Sequence, residues 1–387
     1  MTPSTKRRLR DFRAPDEIGA ENRAWGVVRS AYRERELEPN MARRPRWRIA
    51  VAPALALIVG AFLLSPAGAS VRRLIHRALG EKHAAPALFA LPSPGRLLVS
   101  GPGGAWTAAA DGSVRRLGPW SQATWSPRGL YVAVASGNQL AAVDPHGTVR
   151  WRLARPAVSN PRWYSPSGYR VAYLAGGTLR VVAGDGTGDH LLAAGVAHVA
   201  PAWRPGGALG PFELAYVTAR GGVVVRDGDT GRALWSTAPG PRPFELMWSA
   251  DGGRLLVLSS RQARTYSAAG ALISQVALPG VVSDGALSPD GRKLALVLGG
   301  REVAVRSGGL FRQVLAGPGV KAVSWSPDGR WLLVTWPAAN QWVFVRVAGT
   351  PRIEAVSRIA QQFSSAGAAH AFPELDGWCC TVRGAAG

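Results

Sequence analysis

The sequence predicts an all-β protein of seven repeated units, anchored to a membrane by one apolar helix near its N-terminus. A turn motif close to Ser-Pro-Asp-Gly recurs seven times at intervals of about forty residues, which predicts the repeats. The 47 glycines and 29 prolines are scattered along the chain, as expected for many short strands joined by turns. Residues 49–71 contain no charged side chain, which predicts the helix. With 47% hydrophobic and 18% charged residues, the composition excludes a largely disordered chain.

Residues 1–48 form a basic arm in which an amphipathic helix is predicted. Pro15 and the two acidic residues after it are typical of a helix start, and Pro39 marks its end. The apolar positions on one face are Ile18, Trp25, Val28 and Tyr32. A single helix cannot bury this face against itself, so we expect these four residues to bind a cytoplasmic partner or a second copy of the arm. A helix lying on the membrane and a solvated arm without a role are the alternatives.

Residues 49–71 are expected to cross the membrane once. A helix of this length spans about 35 Å, enough for a hydrocarbon core about 30 Å thick. A cleaved signal peptide ending near residues 67–69 (Ala-Gly-Ala) and a buried globular helix are the alternatives, but the segment before the apolar run is long for a signal peptide. Seven arginines precede the span within twenty residues and four basic residues follow it, so the N-terminus is expected in the cytoplasm. Residues 72–87 then form a short stalk.

Residues 88–362 repeat one motif: an aromatic residue or leucine, a turn, and an apolar run. Two clear copies are residues 325–330 (Trp-Ser-Pro-Asp-Gly-Arg) and 287–292 (Leu-Ser-Pro-Asp-Gly-Arg). The seven copies begin at positions 91, 125, 164, 203, 248, 287 and 325. The aromatic residue is expected to end one strand and to wedge between sheets, and the apolar run to form a strand buried on both faces. A second turn rich in Asp and Gly fits a hairpin between the outer strands. The spacing matches four short strands per unit.

The motif Trp-Ser-Pro-Asp-Gly-(Arg/Lys) followed by apolar residues resembles the WD40-like repeat of TolB-type β-propellers. Residues 227–235 (Asp-x-x-Thr-Gly-x-x-x-Trp) and 144–151 (Asp-x-x-Gly-x-x-x-Trp) also resemble the blade tail of quinoprotein-type propellers. The resemblance covers residues 88–362 and implies a seven-bladed β-propeller around a central channel. The Gly-His…Trp-Asp signature of true WD40 blades is absent from the sequence, as is the hydrolase domain joined to some such propellers.

Residues 363–387 are expected to add a closing strand to the ring or to form a capping extension. They contain the two cysteines of the chain, the neighbours Cys379 and Cys380, so a disulfide-stapled scaffold and a Cys-based zinc finger are excluded. A disulfide between adjacent cysteines would close a strained ring. We therefore expect two buried thiols, with a disulfide to another chain as the alternative.

The sequence contains no recognisable motif for catalysis, metal binding or cofactor binding. Neither a serine nucleophile elbow nor a phosphate-binding loop occurs, and the six histidines lack the spacing of metal ligands. The pairs Asp185/Asp189 and Asp227/Asp229 lack the remaining ligands of a calcium loop and fit hairpin turns. The net charge of +22 comes mainly from arginines scattered at strand ends and turns, which does not favour a nucleic-acid partner. We expect no enzyme, no metal, no cofactor and no nucleic acid.

Together these features predict a single-pass membrane protein whose extracytoplasmic propeller binds a protein, peptide or glycan. The layout resembles that of anti-sigma-type transmembrane regulators, which implies a cytoplasmic partner for the arm, although their zinc-binding His-x-x-x-Cys-x-x-Cys pattern is absent. An envelope-assembly or cell-wall scaffold is the alternative. A propeller enzyme of the quinoprotein or lyase type is disfavoured, because carboxylates or histidines are not expected to cluster at matching blade positions.

Overall fold

The computed structural model describes residues 90–364 and 370–380. In these two ranges the chain forms seven four-stranded antiparallel sheets. The innermost strands of successive sheets neighbour one another in a closed ring around a central channel, so each sheet is one blade of a seven-bladed β-propeller. The prediction of an all-β fold with seven blades is confirmed for this part of the chain.

Every blade except the first takes its four strands in chain order, from the channel outward. Blade 1 contains β1 (Arg96–Ser100), β2 (Ala105–Ala108) and β3 (Val114–Gly118). Blade 2 contains β4 (Gln122–Trp125), β5 (Val132–Ser136), β6 (Gln139–Val143) and β7 (Val149–Ala154), and blade 3 contains β8 (Val158–Trp163), β9 (Arg170–Ala175), β10 (Thr178–Ala183) and β11 (His190–Ala194). Blade 4 contains β12 (Ala202–Trp203), β13 (Glu213–Val217), β14 (Val223–Asp227) and β15 (Ala233–Ser236).

The remaining blades follow the same order. Blade 5 contains β16 (Pro243–Trp248), β17 (Arg254–Ser259), β18 (Gln262–Ser267) and β19 (Leu272–Ala277). Blade 6 contains β20 (Val282–Leu287), β21 (Lys293–Leu298), β22 (Glu302–Ser307) and β23 (Leu310–Ala316). Blade 7 contains β24 (Ala322–Trp325), β25 (Trp331–Trp336), a 3₁₀ turn (Pro337–Ala339), β26 (Gln341–Arg346) and β27 (Arg352–Ser357). The one-turn helix α1 (Ile359–Gln362) and the strand β28 (Glu374–Cys379) complete the described chain.

The ring closes in blade 1, whose innermost strand is the C-terminal strand β28. It pairs antiparallel with β1, and Trp378 lies opposite Leu97. Trp378 thus stands at the motif position, which is tryptophan in every other blade except blade 6, and it supplies the aromatic residue that the first repeat copy, which begins at Leu91, lacks. Of the two interpretations of residues 363–387, the structure has a strand of the ring over Glu374–Cys379.

In blades 5, 6 and 7 the Ser-(Pro/Ala)-Asp-Gly turn is held by a small network of hydrogen bonds within the motif. In blade 7 the Ser326 hydroxyl donates to Asp328 Oδ1 over 2.5 Å, and it accepts the backbone N–H of Trp331 over 2.9 Å. Gly329 has a φ of 65°, a conformation that glycine adopts without steric penalty. Blades 5 and 6 repeat the serine bonds. These bonds explain why serine, aspartate and glycine recur at fixed positions.

The motif tryptophans wedge between neighbouring blades, as the sequence predicts. The indole N–H of Trp325 donates to the carbonyl oxygen of Ala286 in the preceding blade over 2.9 Å, and Trp203 and Trp248 make the equivalent bonds. In blade 3 the strand register places Trp163 at this position, opposite Val171. The predicted anchor of that copy, Tyr164, is therefore wrong by one residue. The reason is that the turn of blade 3 is one residue longer.

A second kind of tryptophan contact joins the outer edges of blades 2 and 3 and those of blades 4 and 5. Trp151 of β7 donates its indole N–H to the carbonyl oxygen of Gly184 in blade 3 over 2.8 Å. A Cβ atom at Gly186 would lie 2.7 Å from the Trp151 ring, so the indole packs directly on a glycine of the next blade. Trp235 packs in the same way on Gly270 of blade 5. These tryptophans end the two segments that resemble quinoprotein blade tails.

The predicted arm, membrane helix and stalk, residues 1–87, lie outside the described residues. Among the residues that are described, no helix has both the length and the apolar character needed to cross a bilayer.

The structure joins Cys379 and Cys380 by a disulfide, so the expectation of two thiols is wrong. Side chains alternate between the two faces of a strand, which would separate neighbouring sulfur atoms. The alternation ends at Cys379, because Cys380 has left the strand and has a φ of 59°.

Candidate functional site

The residues predicted to bind a partner, Ile18, Trp25, Val28 and Tyr32, lie outside the described residues, and their role remains a prediction. Within the described propeller, two other places combine concave shape with polar chemistry. One is a groove on one face of the ring, and the other is the central channel. The sequence analysis predicted a central channel but neither the groove nor the polar residues of the channel.

The two faces of the propeller differ in which connections they carry. Because adjacent strands are antiparallel, the turns between first and second strands and between third and fourth strands all emerge on one face, here called the turn face. The Ser-Pro-Asp-Gly turns lie on it. The opposite face, here called the linker face, carries the turns between second and third strands and the connections between blades.

A groove of about 620 Å³ opens on the turn face between blades 2 and 3, and is here called the turn-face groove. Its walls are the first turns of the two blades, and its floor includes Trp151 and Trp163. Three large side chains along it are exposed, Leu130 at 59%, Tyr131 at 41% and Tyr169 at 51%. Isolated exposed apolar residues are ordinary on protein surfaces, but three around one concavity are typical of a binding site.

Local sequence explains why the groove has a firm shape. Gly129, with a φ of 64°, turns the chain of blade 2 back so that Leu130 and Tyr131 follow at the surface. In blade 3, Tyr164 occupies the place that serine has in blade 2, and it is buried with its hydroxyl donating to the Gly207 carbonyl oxygen over 2.7 Å. The floor residue Trp151 is fixed by its bond to blade 3.

Ion pairs at the groove hold two of its arginines in place. Arg150 contacts Asp144 over 2.8 Å. Burial of Asp144 would raise its pKa, but the backbone N–H groups of Thr148 and His146 and the charge of Arg150 outweigh this and lower it. Arg170 binds both carboxylate oxygens of Asp229 on blade 4, at 2.7 and 2.9 Å. The third arginine of the groove, Arg128, is exposed and has no ion pair with a described residue.

A smaller cavity of about 340 Å³ lies on the linker face, also between blades 2 and 3. It is lined by turn glycines, by Val158 and Ser159 of β8, and by His198. Its walls are mostly small apolar groups, so it offers less for recognition than the turn-face groove.

Among the described residues, three carboxylates and one arginine on four inner strands interact in the central channel. Burial raises the pKa of Glu245 and Asp376, and the positive charge of Arg162 opposes both increases. Arg162 belongs to blade 3, whereas Asp376 belongs to blade 1 and Glu245 to blade 5. Since neither of these blades is next to blade 3 in the ring, Arg162 must act across the channel.

The third carboxylate, Asp284, links two blades. Its Oδ2 atom accepts the backbone N–H of Val323 in the next blade over 2.8 Å. Burial raises its pKa to about 7, and the nearby Glu245 adds to the increase. Burial likewise raises the pKa of Asp376 to about 7. No group of three or more His, Cys, Asp or Glu side chains within the described ranges is arranged to hold a metal ion.

The channel differs from one expectation of the sequence analysis, that carboxylates would not cluster at matching blade positions. Glu245 and Asp284 each stand three residues before the motif residue of their blade, Trp248 and Leu287, so carboxylates do occupy matching blade positions. Gln122 has the same place before Trp125 in blade 2. A comparison of the seven copies at this position would have found the polar side chains.

Comparison with known proteins agrees with the architecture. No protein-family model matches the chain, and no curated protein matches it either. Among solved structures it is similar to Hsv2 of Kluyveromyces lactis, with 14% identity, a TM-score of 0.53, and coverage of 69% of this chain and 96% of that one. Hsv2 of Kluyveromyces marxianus gives 14% identity, a TM-score of 0.51 and coverage of 67% and 93%. At such low identity the similarity shows the fold alone. The chain contains a seven-bladed β-propeller.

Proposed function

We propose that this protein is a non-enzymatic, membrane-anchored binding protein whose propeller, outside the cytoplasm, holds a protein partner on its turn face. Residues 49–71 are the anchor in this proposal, and the arm of residues 1–48 contacts a cytoplasmic protein through Ile18, Trp25, Val28 and Tyr32. Binding outside would then be communicated to the inside, as in a transmembrane regulator.

The observation that carries the proposal is the turn-face groove with its exposed Leu130, Tyr131 and Tyr169. Tyrosine offers a large contact area and a hydroxyl with few rotatable bonds, which suits it to protein interfaces. The turns that carry these residues are fixed by backbone hydrogen bonds and by the half-buried Trp151, so little conformational entropy is lost on binding.

The binding role is tested with the intact protein cross-linked in its native membranes. Wild type is compared with Tyr131→Ala/Tyr169→Ala and with the control Leu310→Ala, which removes a side chain 78% exposed on blade 6. A protein captured by wild type and by the control but lost from the double variant supports the groove as its site. Equal capture by all three baits contradicts it.

The anchor and the arm are tested separately. The protein should stay in the membrane fraction after extraction at alkaline pH, and protease added outside should reach the propeller but not the arm. Changing Ile18, Trp25 and Tyr32 together to serine should release a cytoplasmic partner while leaving the propeller's partner bound. If this triple variant captures the same proteins as wild type, the arm is only an anchor and the regulator role fails.

A further inference from the structure

Exposed arginines are concentrated on the outer edges of blades 1 and 2. The outermost strand of blade 1, β3, contains Arg115 and Arg116, and that of blade 2, β7, contains Arg150 and Arg152. All four are exposed. The outermost strands of blades 3, 4 and 5, which are β11, β15 and β19, contain no Lys, Arg, Asp or Glu. Those of blades 6 and 7, β23 and β27, contain one arginine each, and the arginine of β27 is paired with Glu354. We call these four arginines, together with Arg128, the basic rim.

Most of the charge on the basic rim is not neutralised by carboxylates. Only Arg150 forms an ion pair with a described residue, Asp144. The carboxylate of Asp111, at the start of the β2–β3 turn, accepts hydrogen bonds from the backbone N–H and the hydroxyl of Ser113. Arg116 lies over the ring of Trp106 at 5.8 Å, and Arg152 lies over the ring of Trp120 at 6.0 Å. These contacts orient the guanidinium groups while leaving their charge unpaired.

The basic rim adjoins the turn-face groove. Outer strands start at the turn face, and Arg115 and Arg150 each stand second in theirs, whereas Arg116 donates a hydrogen bond to the Gly103 carbonyl oxygen in the β1–β2 turn on the linker face. The outer edges of blades 1 and 2 touch, since a Cβ atom at Gly147 would lie 3.2 Å from the Leu117 carbonyl oxygen. Arg128 and Arg150 line the groove itself. One continuous surface therefore combines an apolar concavity with a positive border.

Arginines on an edge strand can also have a simpler purpose, which is to prevent strands of different molecules from pairing. That purpose would apply equally to every blade, because each has an exposed outermost strand. Since β11, β15 and β19 carry no charged residue and β23 and β27 carry one arginine each, protection against pairing does not account for the pairs of arginines on β3 and β7.

We propose that the partner of the turn-face groove is an acidic segment of a protein, with apolar side chains that enter the groove and Asp or Glu residues that lie on the basic rim. This inference rests on the proposed function and deepens it. A concave apolar site admits side chains of a peptide, whereas a membrane would be met by protruding apolar groups. Trp106 and Trp120 are covered by arginines and do not offer free ring faces on which nucleic-acid bases would stack.

The test uses the full-length protein in detergent micelles and three fluorescent peptides. The peptides share the same leucines and differ only in carrying glutamate, glutamine or lysine at the other positions. We expect the glutamate peptide to bind about tenfold more tightly than the glutamine peptide at low salt, with most of the difference lost at high salt. The lysine peptide should bind most weakly.

Two charge-matched variants locate the effect. Arg115→Glu/Arg116→Glu/Arg152→Glu should remove the preference for the glutamate peptide. The control Arg261→Glu/Arg301→Glu/Arg312→Glu changes three exposed arginines on blades 5 and 6 and should retain it. Equal binding of the three peptides, or equal loss in both variants, would overturn the acidic partner.

The outcomes separate this inference from the proposed function. If all three peptides bind equally and Tyr131→Ala/Tyr169→Ala weakens them equally, the groove is a binding site but its partner is not acidic. If the double variant leaves capture of the native partner unchanged, the proposed function itself fails. Binding of anionic phosphatidylserine vesicles or of single-stranded DNA, lost in the Arg115/Arg116/Arg152 variant while no peptide binds, would overturn the inference in favour of those ligands.

Discussion

Two interfaces between neighbouring blades, here called seams, are built from the same repeat. They differ in charge and in how completely apolar side chains fill them. Between blades 2 and 3, Gln122 Oε1 accepts the backbone N–H of Asn160 over 2.6 Å, and the turn face opens into the groove. Between blades 6 and 7, Asp284 Oδ2 accepts the N–H of Val323 over 2.8 Å, and the seam is filled by a large apolar cluster around Trp325. At these two seams the side chain at this position accepts a hydrogen bond from the next blade, with a charge in one and without a charge in the other.

The largest effect expected from this comparison follows removal of the motif tryptophan in the closed seam. Trp325→Ala should lower the free energy of unfolding by about 3–5 kcal/mol, because it leaves a cavity among apolar side chains and removes the bond to Ala286. Trp163→Ala should lower it less, since Trp163 borders the groove and water can occupy the space. Denaturant unfolding monitored by circular dichroism measures both, and equal losses would show that the two seams are packed alike.

The next effect concerns the buried charge. Asp284 has a higher pKa in the folded protein, about 7, than in the unfolded chain, so the folded state holds its proton more tightly. Its contribution to stability is therefore present at acidic pH and is lost as the pH rises towards 7. Asp284→Asn keeps an acceptor for Val323, and at pH 8 it should raise stability by about 1–2 kcal/mol, since water in the channel screens part of the charge.

Thermal unfolding between pH 5 and pH 8 measures this effect. The gain in melting temperature of Asp284→Asn should grow with pH and be small at pH 5. A variant that is less stable than wild type at pH 8 would show that the carboxylate has a favourable partner in the channel. Asp376→Asn should behave in the same direction, because burial raises its pKa to a similar value.

The reciprocal change transfers the charge to the other seam. Gln122→Glu should keep the bond to Asn160 and lower stability at pH 8 by about 1 kcal/mol, with recovery at pH 5 as the new carboxyl takes up a proton. The same thermal scans detect it. A loss of stability that does not depend on pH would mean that the seam between blades 2 and 3 is sensitive to the shape of this side chain and not to its charge.

The smallest effect is expected at the outer edge of the open seam. Trp151→Phe keeps an aromatic ring against Gly186 but removes the hydrogen bond to Gly184, which should lower stability by about 1 kcal/mol. Hydrogen exchange should increase in the turn that follows β10 and little elsewhere. Unchanged exchange there would indicate that ring packing alone holds this edge.

The sequence was sufficient for the number of blades and for most of their strands, because several copies encode the same local bonds. Serine, aspartate and glycine fix a turn by contacts within six residues, and such contacts can be inferred from a motif. Trp378 was not recognised as a motif residue, because the ring order joins β28 to β1 while the chain order separates them. The extra residue in the turn of blade 3 displaced its anchor from Trp163 to Tyr164.

The candidate site was less predictable, for a different reason. The turn-face groove exists because two turns of different blades approach each other. The sequence of neither turn determines the distance between them. The channel carboxylates lie on short inner strands, and their position became evident only when the strand registers aligned the copies. The arm with Ile18, Trp25, Val28 and Tyr32 remains a prediction.

Closure of the ring by β1 and β28 has a mechanical consequence. Arg96 at the start of β1 lies opposite Cys379 at the end of β28, so the chain enters and leaves the ring at the same corner of blade 1. Tension that draws these two ends apart would load the cross-strand hydrogen bonds one after another, like a zipper, starting at that corner. Tension on the entering end alone is instead shared by both neighbours of β1, which must slide together. The propeller should therefore resist unfolding when force is applied through the entering end alone. It should unfold more easily when force is applied between the entering and leaving ends.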